Sequence, residues 1–149
     1  MIHCGHCRCG EVRFEVSGPP ILTAACHCTD CQRMTAGPYS LSALFSDEQF
    51  ELVAGDVVVG SCKSAGQHNF CSECFSWVYT KPAGLAGMVN IRTPLLDHAA
   101  DFLPFAEFFR DDAIPGTECG APLSFGSAPP VEEFLKLADS YAEWEHRPG

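Results

Sequence analysis

Three cysteines within six residues are the feature of this sequence with the clearest chemical meaning. Cys26, Cys28 and Cys31 lie in the segment C-H-C-T-D-C. Zinc in proteins prefers four tetrahedral ligands, and a structural site normally takes all four from the chain. Three cysteines therefore either share a metal with a fourth ligand from elsewhere or leave one coordination position open. A closed site stabilises a fold, whereas an open one can bind and polarise a substrate, so the fourth ligand separates a structural module from an enzyme.

Two other groups of cysteines could form a complete site without these three. Cys71 and Cys74 have the Cys-x-x-Cys spacing of a zinc knuckle, and they need two partners. The start of the chain offers Cys7 with either Cys4 or Cys9, and spacing alone leaves both choices open. Pairing the two groups predicts a closed tetrathiolate site that joins the start of the chain to its middle. Structural zinc contributes of order 10 kcal/mol in small modules, so loss of this metal is expected to unfold the sheet.

The fourth ligand of the central three cysteines has several candidates. They are Cys62, Cys119, His27, His68 and water. His27 lies between two cysteines of the cluster, so its side chain is expected to point away from a metal that both bind. We therefore expect His27 to be an ordinary packed or surface histidine. Cys62 lies in an apolar strand pattern and Cys119 in a glycine-containing segment, and a lone cysteine carries no spacing signal.

Charge and composition argue against two classes of partner. The chain of 149 residues carries a formal net charge of −10, from 9 basic and 19 acidic residues, and has no basic stripe. Nucleic acids and anionic membranes are bound by clustered Lys and Arg, so neither is expected as a partner. The first residues lack the apolar core of a signal peptide, and no apolar run approaches the ~18 residues of a membrane span. We therefore expect a cytoplasmic protein, whose ten cysteines stay reduced and favour metal binding over disulfides.

Short strands separated by turns are predicted over about the first 90 residues. Residues 12–16 alternate apolar and polar side chains, which is the period of a half-buried strand. The other predicted strands cover residues 39–44, 50–53, 57–62, 77–80 and 88–91. Turn-forming residues such as Gly55-Asp56 lie between them. This spacing indicates antiparallel β structure rather than alternating β-α units.

The last third of the chain has a different pattern. Residues 98–110 are rich in Phe and Ala and predict a short helix or a loop that packs on the sheet. Residues 131–145 place apolar side chains at helical spacing and predict an amphipathic C-terminal helix. The apolar residues of this helix, expected to pack against the core, are Phe134, Leu135, Ala138, Tyr141 and Trp144. We expect one domain over residues 1–149, mainly β with a C-terminal helix.

Three segments together resemble a known family. They are G-H-C-R-C-G-E-V-R-F-E at residues 5–15, C-H-C-T-D-C-Q at residues 26–32 and N-F-C-S-E-C at residues 69–74. Their order and separations are similar to those of the glutathione-dependent formaldehyde-activating family, which also includes a centromere protein. The resemblance covers roughly residues 5–95. One departure is Phe75, which follows the last motif where the family usually has glycine.

The resemblance implies a fold, two metal sites and an activity. The fold would be an antiparallel β-tent pinned by zinc. The structural zinc would be bound by Cys7, Cys9, Cys71 and Cys74, and a second zinc by Cys26, Cys28 and Cys31 with an open fourth position. The implied activity is that of a carbon–sulfur lyase or synthase on a thiol–aldehyde adduct. Its reaction would join formaldehyde to a small thiol, glutathione, to give S-hydroxymethylglutathione.

Other functions and other site residues stay open at this level. If Cys62 or Cys119 closes the second site, the chain is a non-catalytic two-zinc structural or protein-interaction module. If the second cluster binds metal loosely, it is a thiol-based sensor of metal or oxidants. Candidates to move protons are His27, Asp30 and His68. Candidates to pair with an anionic thiol are Arg92, Lys81 and Lys63.

Overall fold

The computed structural model describes residues 1–60 and 66–149. These residues contain eleven strands and two α-helices. The strands are β1 (Ile2–His6), β2 (Arg13–Ser17), β3 (Leu22–Cys26), β4 (Ser40–Ser46), β5 (Phe50–Ala54), β6 (Val57–Gly60), β7 (Gly66–Cys71), β8 (Trp77–Pro82), β9 (Met88–Arg92), β10 (Ala106–Phe108) and β11 (Leu123–Ser124). The helices are α1 (Thr29–Thr35) and α2 (Val131–Ala142), with 3₁₀ turns at Asp47–Gln49, Thr93–Leu95, Ala99–Asp101 and Arg110–Asp112. The prediction of a mainly β protein with a C-terminal helix is confirmed. None of the helices in these residues is long and apolar enough to cross a membrane.

The strands assemble into two sheets. The smaller has the order β1-β2-β5, and the larger has the order β11-β10-β3-β4-β9-β8-β7-β6. Neighbouring strands are antiparallel, as predicted, except that β10 runs parallel to both β3 and β11. This parallel pairing places Phe108 opposite Cys26 and Glu107 opposite Ala25. The short strand β10 therefore brings the last third of the chain to the central cysteines.

Two apolar cores hold these layers together. The larger combines side chains of both sheets, including Phe14 from β2, Phe45 from β4 and Ile91 from β9, all at most 1% exposed. Cys7 and Cys71 belong to the same core and are fully buried. A second core joins β3 and β10 to α2. Burial of apolar side chains is the dominant favourable term in folding, so the first core holds the two sheets together and the second holds α2 against β3 and β10.

The C-terminal helix confirms the predicted type but corrects one residue. It ends at Ala142, and Trp144 packs just beyond it with its ring 5.1 Å from that of Phe105. Leu137 is buried, whereas Leu135 is 60% exposed, so the prediction that Leu135 packs in the core is wrong. Successive helical residues are about 100° apart, which places Leu135 well away from the face shared by Leu137 and Tyr141.

The six predicted strands match β2, β4, β5, β6, β8 and β9, and other strands were missed. The end of the predicted strand 57–62 lies outside the described residues. The strand β3 was missed because Leu22 to Ala25 are all buried and show no alternation. Residues 98–110 contain the 3₁₀ turn Ala99–Asp101 and then β10, a strand that the sequence did not indicate, and they end where the turn Arg110–Asp112 begins. The predicted turn at Gly55 connects β5 to β6 with φ +81°, and a Cβ there would collide with the backbone of Glu11.

Candidate metal centre and adjoining cavity

Four cysteine sulfurs from distant parts of the chain meet in the first cluster. Cys7 and Cys9 follow β1, Cys71 ends β7, and Cys74 lies in the turn before β8. Their sulfur atoms all lie within 4.8 Å of one another, with Cys9 Sγ 3.4 Å from Cys7 Sγ and 3.8 Å from Cys71 Sγ. Tetrahedral zinc–sulfur bonds of 2.3 Å would separate the sulfurs by about 3.8 Å, so this donor set fits a zinc ion.

Cys4 lies apart from that cluster. Its side chain is exposed, and its Sγ donates to Glu15 Oε1 at 3.8 Å. Spacing left Cys4 and Cys9 as equal choices, and the structure places Cys9 with the other three sulfurs. Within the cluster, the hydroxyl of Ser76, 3.2 Å from Cys74 Sγ, lowers the pKa of Cys74 to about 5. Cys74 is therefore ready to bind a cation as a thiolate at neutral pH.

The turn that carries Cys74 is closed by backbone hydrogen bonds. Phe75 N donates to Cys71 O at 3.0 Å, and Cys71 N donates to Ser76 O at 3.0 Å. This geometry puts Phe75 in the left-handed region, with φ +55°, where residues other than glycine are uncommon. The side chain of Phe75 is nevertheless 68% exposed. The knuckle thus holds a large apolar side chain at the surface on an unfavourable backbone.

The second cluster is built at the junction of β3 and α1. Cys26 is the last residue of β3, Cys28 is the N-cap of α1, and Cys31 lies in its first turn. Cys28 Sγ accepts a hydrogen bond from Cys31 N at 3.4 Å. The three sulfur atoms lie within 4.8 Å of one another. The sequence indicated a tight turn at Cys28 and Cys31, and the structure shows that this turn begins a helix.

Without a cation the three sulfurs do not ionise alike. Hydrogen bonds from Cys26 and Cys31 lower the pKa of Cys28 to about 2, and the same contact with Cys28 raises the pKa of Cys26. One thiolate is therefore stabilised at the expense of its neighbours. A divalent cation would remove this competition, because it favours the thiolate of every sulfur that binds it.

Two candidates for a fourth ligand are engaged elsewhere. His27 is fully buried, and its Nε2 lies 2.9 Å from Glu107 Oε2. Cys119 groups with His27 and Glu107 rather than with the central cysteines. Cys62 lies outside the described residues. Within residues 1–60 and 66–149, the second cluster is therefore a group of three cysteines.

Glu107 is a buried residue that sequence analysis missed. It lies on β10, is 4% exposed, and also pairs with Arg110 Nη1 at 3.4 Å. Burial raises the pKa of Glu107, but hydrogen bonds from Cys119 and His27 and the charge of Arg110 outweigh it and hold the pKa below its usual range. The only signal in the sequence is a single acid within the apolar run F-A-E-F-F. This network holds His27, and with it the backbone between Cys26 and Cys28.

Replacing Glu107 with alanine is expected to reduce the free energy of unfolding by about 3 kcal/mol, because it leaves the buried His27 Nε2 without its partner. Urea unfolding at pH 7 measures this loss. The pKa of Glu107 is lower in the folded protein than in the unfolded chain. Its stabilising effect is therefore complete above the pKa of an unfolded carboxyl group and is lost as the pH falls through the lower pKa of the folded state. The free energies of unfolding of the variant and the parent should become equal in acid.

Glu118→Ala is the control, because Glu118 also pairs with Arg110 but is exposed, and we expect its free energy of unfolding to change by less than about 0.5 kcal/mol. Equal losses in the two variants would contradict this role of Glu107.

The other predicted proton carriers differ in their environment. Asp30 is exposed and pairs with Arg33 at 4.0 Å. His68 is buried, and its Nδ1 lies 2.8 Å from Thr80 Oγ1. Burial and then the positive charge of Arg92 hold the pKa of His68 below its usual value. His68 is therefore neutral at physiological pH.

Arg92 differs from the other predicted cations because it is buried without an acidic partner. It is 6% exposed, its guanidinium lies 4.0 Å from the centre of the Trp77 ring, and its Nη2 donates to Asn90 O at 3.1 Å. No carboxylate of the described residues lies within 4 Å of it, and residues 61–65 contain no acid. Burial lowers the pKa of Arg92 to about 10, and the thiolates of Cys31 and Cys26 oppose this decrease. Arg92 thus places a positive charge near the second cluster.

Of the other two predicted cations, one lies in the part of the chain that the structure describes. Lys81 is half-exposed and pairs with Asp47 at 3.5 Å. Lys63 lies outside the described residues. Of the predicted cations that the structure describes, Arg92 is the one whose positive charge is buried without a carboxylate partner.

A cavity of about 390 Å³ touches the surroundings of both cysteine clusters. One side is formed by α1, the helix that contains Cys31, and another by the turn that follows Cys74. Residues that line it include Met34, Thr35, Tyr39, Phe75, Trp77 and Arg92. Another cleft, of about 460 Å³, lies beside Cys4, and neither this cleft nor the cavity at Arg92 is lined by any of the three central cysteines. The cavity at Arg92 adjoins the second cluster through α1, whose residues Met34 and Thr35 line it.

Comparisons with known proteins identify the fold and the family of the chain. A crystal structure of a Rhodobacter sphaeroides protein superimposes with a TM-score of 0.51 at 20% identity, covering 64% of this chain and 88% of that one, which shows a shared fold. A Halomonas elongata protein, provisionally named glutathione-dependent formaldehyde-activating enzyme, is 32% identical over 85 residues. That alignment covers 50% of this chain and 54% of the relative, so the match spans about half the length of the curated protein. The family model described as glutathione-dependent formaldehyde-activating enzyme matches residues 2–112, and the chain belongs to this family.

Proposed function

We propose that the protein is a zinc-dependent carbon–sulfur lyase or synthase that joins formaldehyde to a small thiol, with glutathione as the thiol. Family membership supports this class of chemistry. The observation that carries the proposal is the second cluster, in which three cysteine sulfurs lie together while His27 and Cys119 are held by Glu107. A cluster of three is what a site with a position for substrate requires.

The two clusters would hold zinc in different roles. Cys7, Cys9, Cys71 and Cys74 would bind a structural zinc, because four sulfurs complete its tetrahedral shell. Cys26, Cys28 and Cys31 would bind the second zinc. When bound there, zinc supplies a cation that favours the thiolate form of a nearby thiol.

The reaction itself needs little more than a positioned thiolate. The sulfur of the thiol forms a bond to the carbon of formaldehyde, the carbonyl π bond breaks, and the thiol proton passes to the carbonyl oxygen. The chain holds its cysteines for this step through the N-cap of α1 and the hydrogen bond between Glu107 and His27. The buried positive charge of Arg92 favours the ionised form of Cys31 and Cys26.

The formaldehyde–glutathione exchange rate measured by NMR tests the proposal. We expect the zinc-loaded protein to accelerate the exchange well above the rate of the mixture without protein. A protein that contains both zinc ions and leaves the rate unchanged would contradict the glutathione activity.

Zinc-edge X-ray absorption tests the open site independently of activity. We expect seven protein sulfurs for two zinc ions, with a nitrogen or oxygen ligand in the fourth position of the second zinc. Eight sulfurs for two zinc ions would identify a closed site and would support the non-catalytic two-zinc module instead.

A further inference from the structure

The fold does not need a large apolar side chain at Phe75, although the knuckle turn requires its backbone conformation. Its φ of +55° suits glycine, and its side chain is 68% exposed. An exposed apolar side chain gains little from burial, so it does not offset the strain of that backbone. Strained residues of this kind cluster at ligand sites, and Phe75 lines the cavity at Arg92.

The lining of that cavity has a defined chemistry. Phe75, Met34, Tyr39 and Trp77 provide apolar and aromatic surface, and Arg92 provides a positive charge. None of the described residues that line it is acidic. Its volume of about 390 Å³ suits a small molecule. The cavity therefore fits an anion that has an apolar part.

The cavity also lies against the segment that holds the central cysteines. Thr35, which lines it, donates its hydroxyl to Cys31 O at 2.8 Å. Tyr39, another lining residue, has its ring 4.9 Å from that of His27. A molecule in the cavity is thus close to the elements that position the second cluster.

We propose that this cavity binds an anionic thiol adduct that carries an apolar substituent, with Arg92 pairing to its carboxylate and Phe75 covering the substituent. This inference rests on the proposed function, because it assigns a substrate class to the cavity beside the second cluster. It also goes further, since a hydroxymethyl group would not use the aromatic surface that Phe75 supplies.

Calorimetric titration of the zinc-loaded protein with S-methyl-, S-butyl- and S-hexylglutathione tests the apolar contact. These thioethers bind without reacting. We expect S-butylglutathione to bind at least about tenfold more tightly than S-methylglutathione, because each buried methylene contributes roughly three- to fourfold. Phe75→Gly should lose this dependence on chain length and keep the affinity for S-methylglutathione. Its melting temperature should equal or exceed that of the parent, because glycine suits φ +55°.

A second variant tests the charge. Arg92→Met is expected to weaken binding of every thioether by about tenfold or more, while the ratio between S-butyl and S-methyl compounds persists. Leu135→Ala is the control, because Leu135 is an exposed apolar residue that does not line the cavity, and all its affinities should match the parent.

Three results would overturn the inference: equal affinities across the series, no binding of any member, or an unchanged chain-length dependence in Phe75→Gly. Failure here is separable from failure of the proposed function. A protein that accelerates formaldehyde–glutathione exchange but shows no chain-length dependence keeps the activity and loses this substrate class. Chain-length-dependent binding without any acceleration keeps the binding site and contradicts the proposed reaction.

Discussion

Replacing Cys71 with serine is expected to leave the protein unfolded at 25 °C. Cys71 is fully buried in the larger core and lies in the cluster of four sulfurs that joins the start of the chain to β7 and β8. A structural zinc contributes of order 10 kcal/mol, and the whole stability of a domain is typically about 5–15 kcal/mol. Loss of this one ligand therefore removes most of the free energy that keeps the chain folded. Near-ultraviolet circular dichroism and thermal unfolding of the purified variant would detect the change.

Cys4→Ser is the matched control for this prediction. Cys4 is also a cysteine near the start of the chain, but it is exposed and lies outside the cluster. We expect its melting temperature to equal that of the parent. A cooperative transition at the parent temperature in Cys71→Ser would show that the first cluster does not hold the fold together. Removal of metal from the parent by a chelator should reproduce the unfolding of Cys71→Ser.

Replacing Cys28 with serine is expected to abolish exchange activity while the protein stays folded. Cys28 is the N-cap of α1, and serine is among the preferred N-cap residues, so the helix should keep its first turn. The substitution removes a thiolate ligand from the second cluster but leaves the first cluster intact. We expect the bound zinc to fall from two ions to one per chain and the exchange rate to fall at least about 100-fold.

Three measurements together decide this prediction: zinc content by atomic absorption, the exchange rate by NMR, and thermal unfolding. Unchanged activity in a folded Cys28→Ser protein that holds one zinc would exclude the second cluster as the reactive site. Unfolding of this variant would instead assign the second cluster a structural role, as in the two-zinc module.

The tetrathiolate cluster shows which metal ligands can be predicted from residue spacing and which cannot. The Cys-x-x-Cys pair at Cys71 and Cys74 identified two of the sulfurs, because close spacing in sequence forces closeness in space. Spacing could not choose between Cys4 and Cys9, since both are within reach of Cys7. The family resemblance implied Cys9, and the pairing of β1 with β2 gives the physical reason, because it directs Cys4 toward Glu15 and away from the cluster.

Glu107 and Arg92 have contacts that residue spacing in the sequence cannot predict. Glu107 meets His27 only because β10 pairs with β3 across 80 residues of sequence. Arg92 was one of three candidate cations in the sequence, and only packing against Trp77 shows that it is buried beside the second cluster. Phe75 was visible as a departure from the family pattern, but its left-handed backbone and its place in the cavity wall are properties of the folded turn.

The sequence by itself therefore determined the mainly β class, the C-terminal helix and the three groups of cysteines. These features depend on local periodicity and on ligands that are close neighbours in the chain. Only the tertiary structure decided that His27 and Cys119 are held by Glu107, and that a cation and an exposed phenylalanine line one cavity. Those properties arise from strand pairings between distant residues, and sequence periodicity carries no information about which distant strands pair.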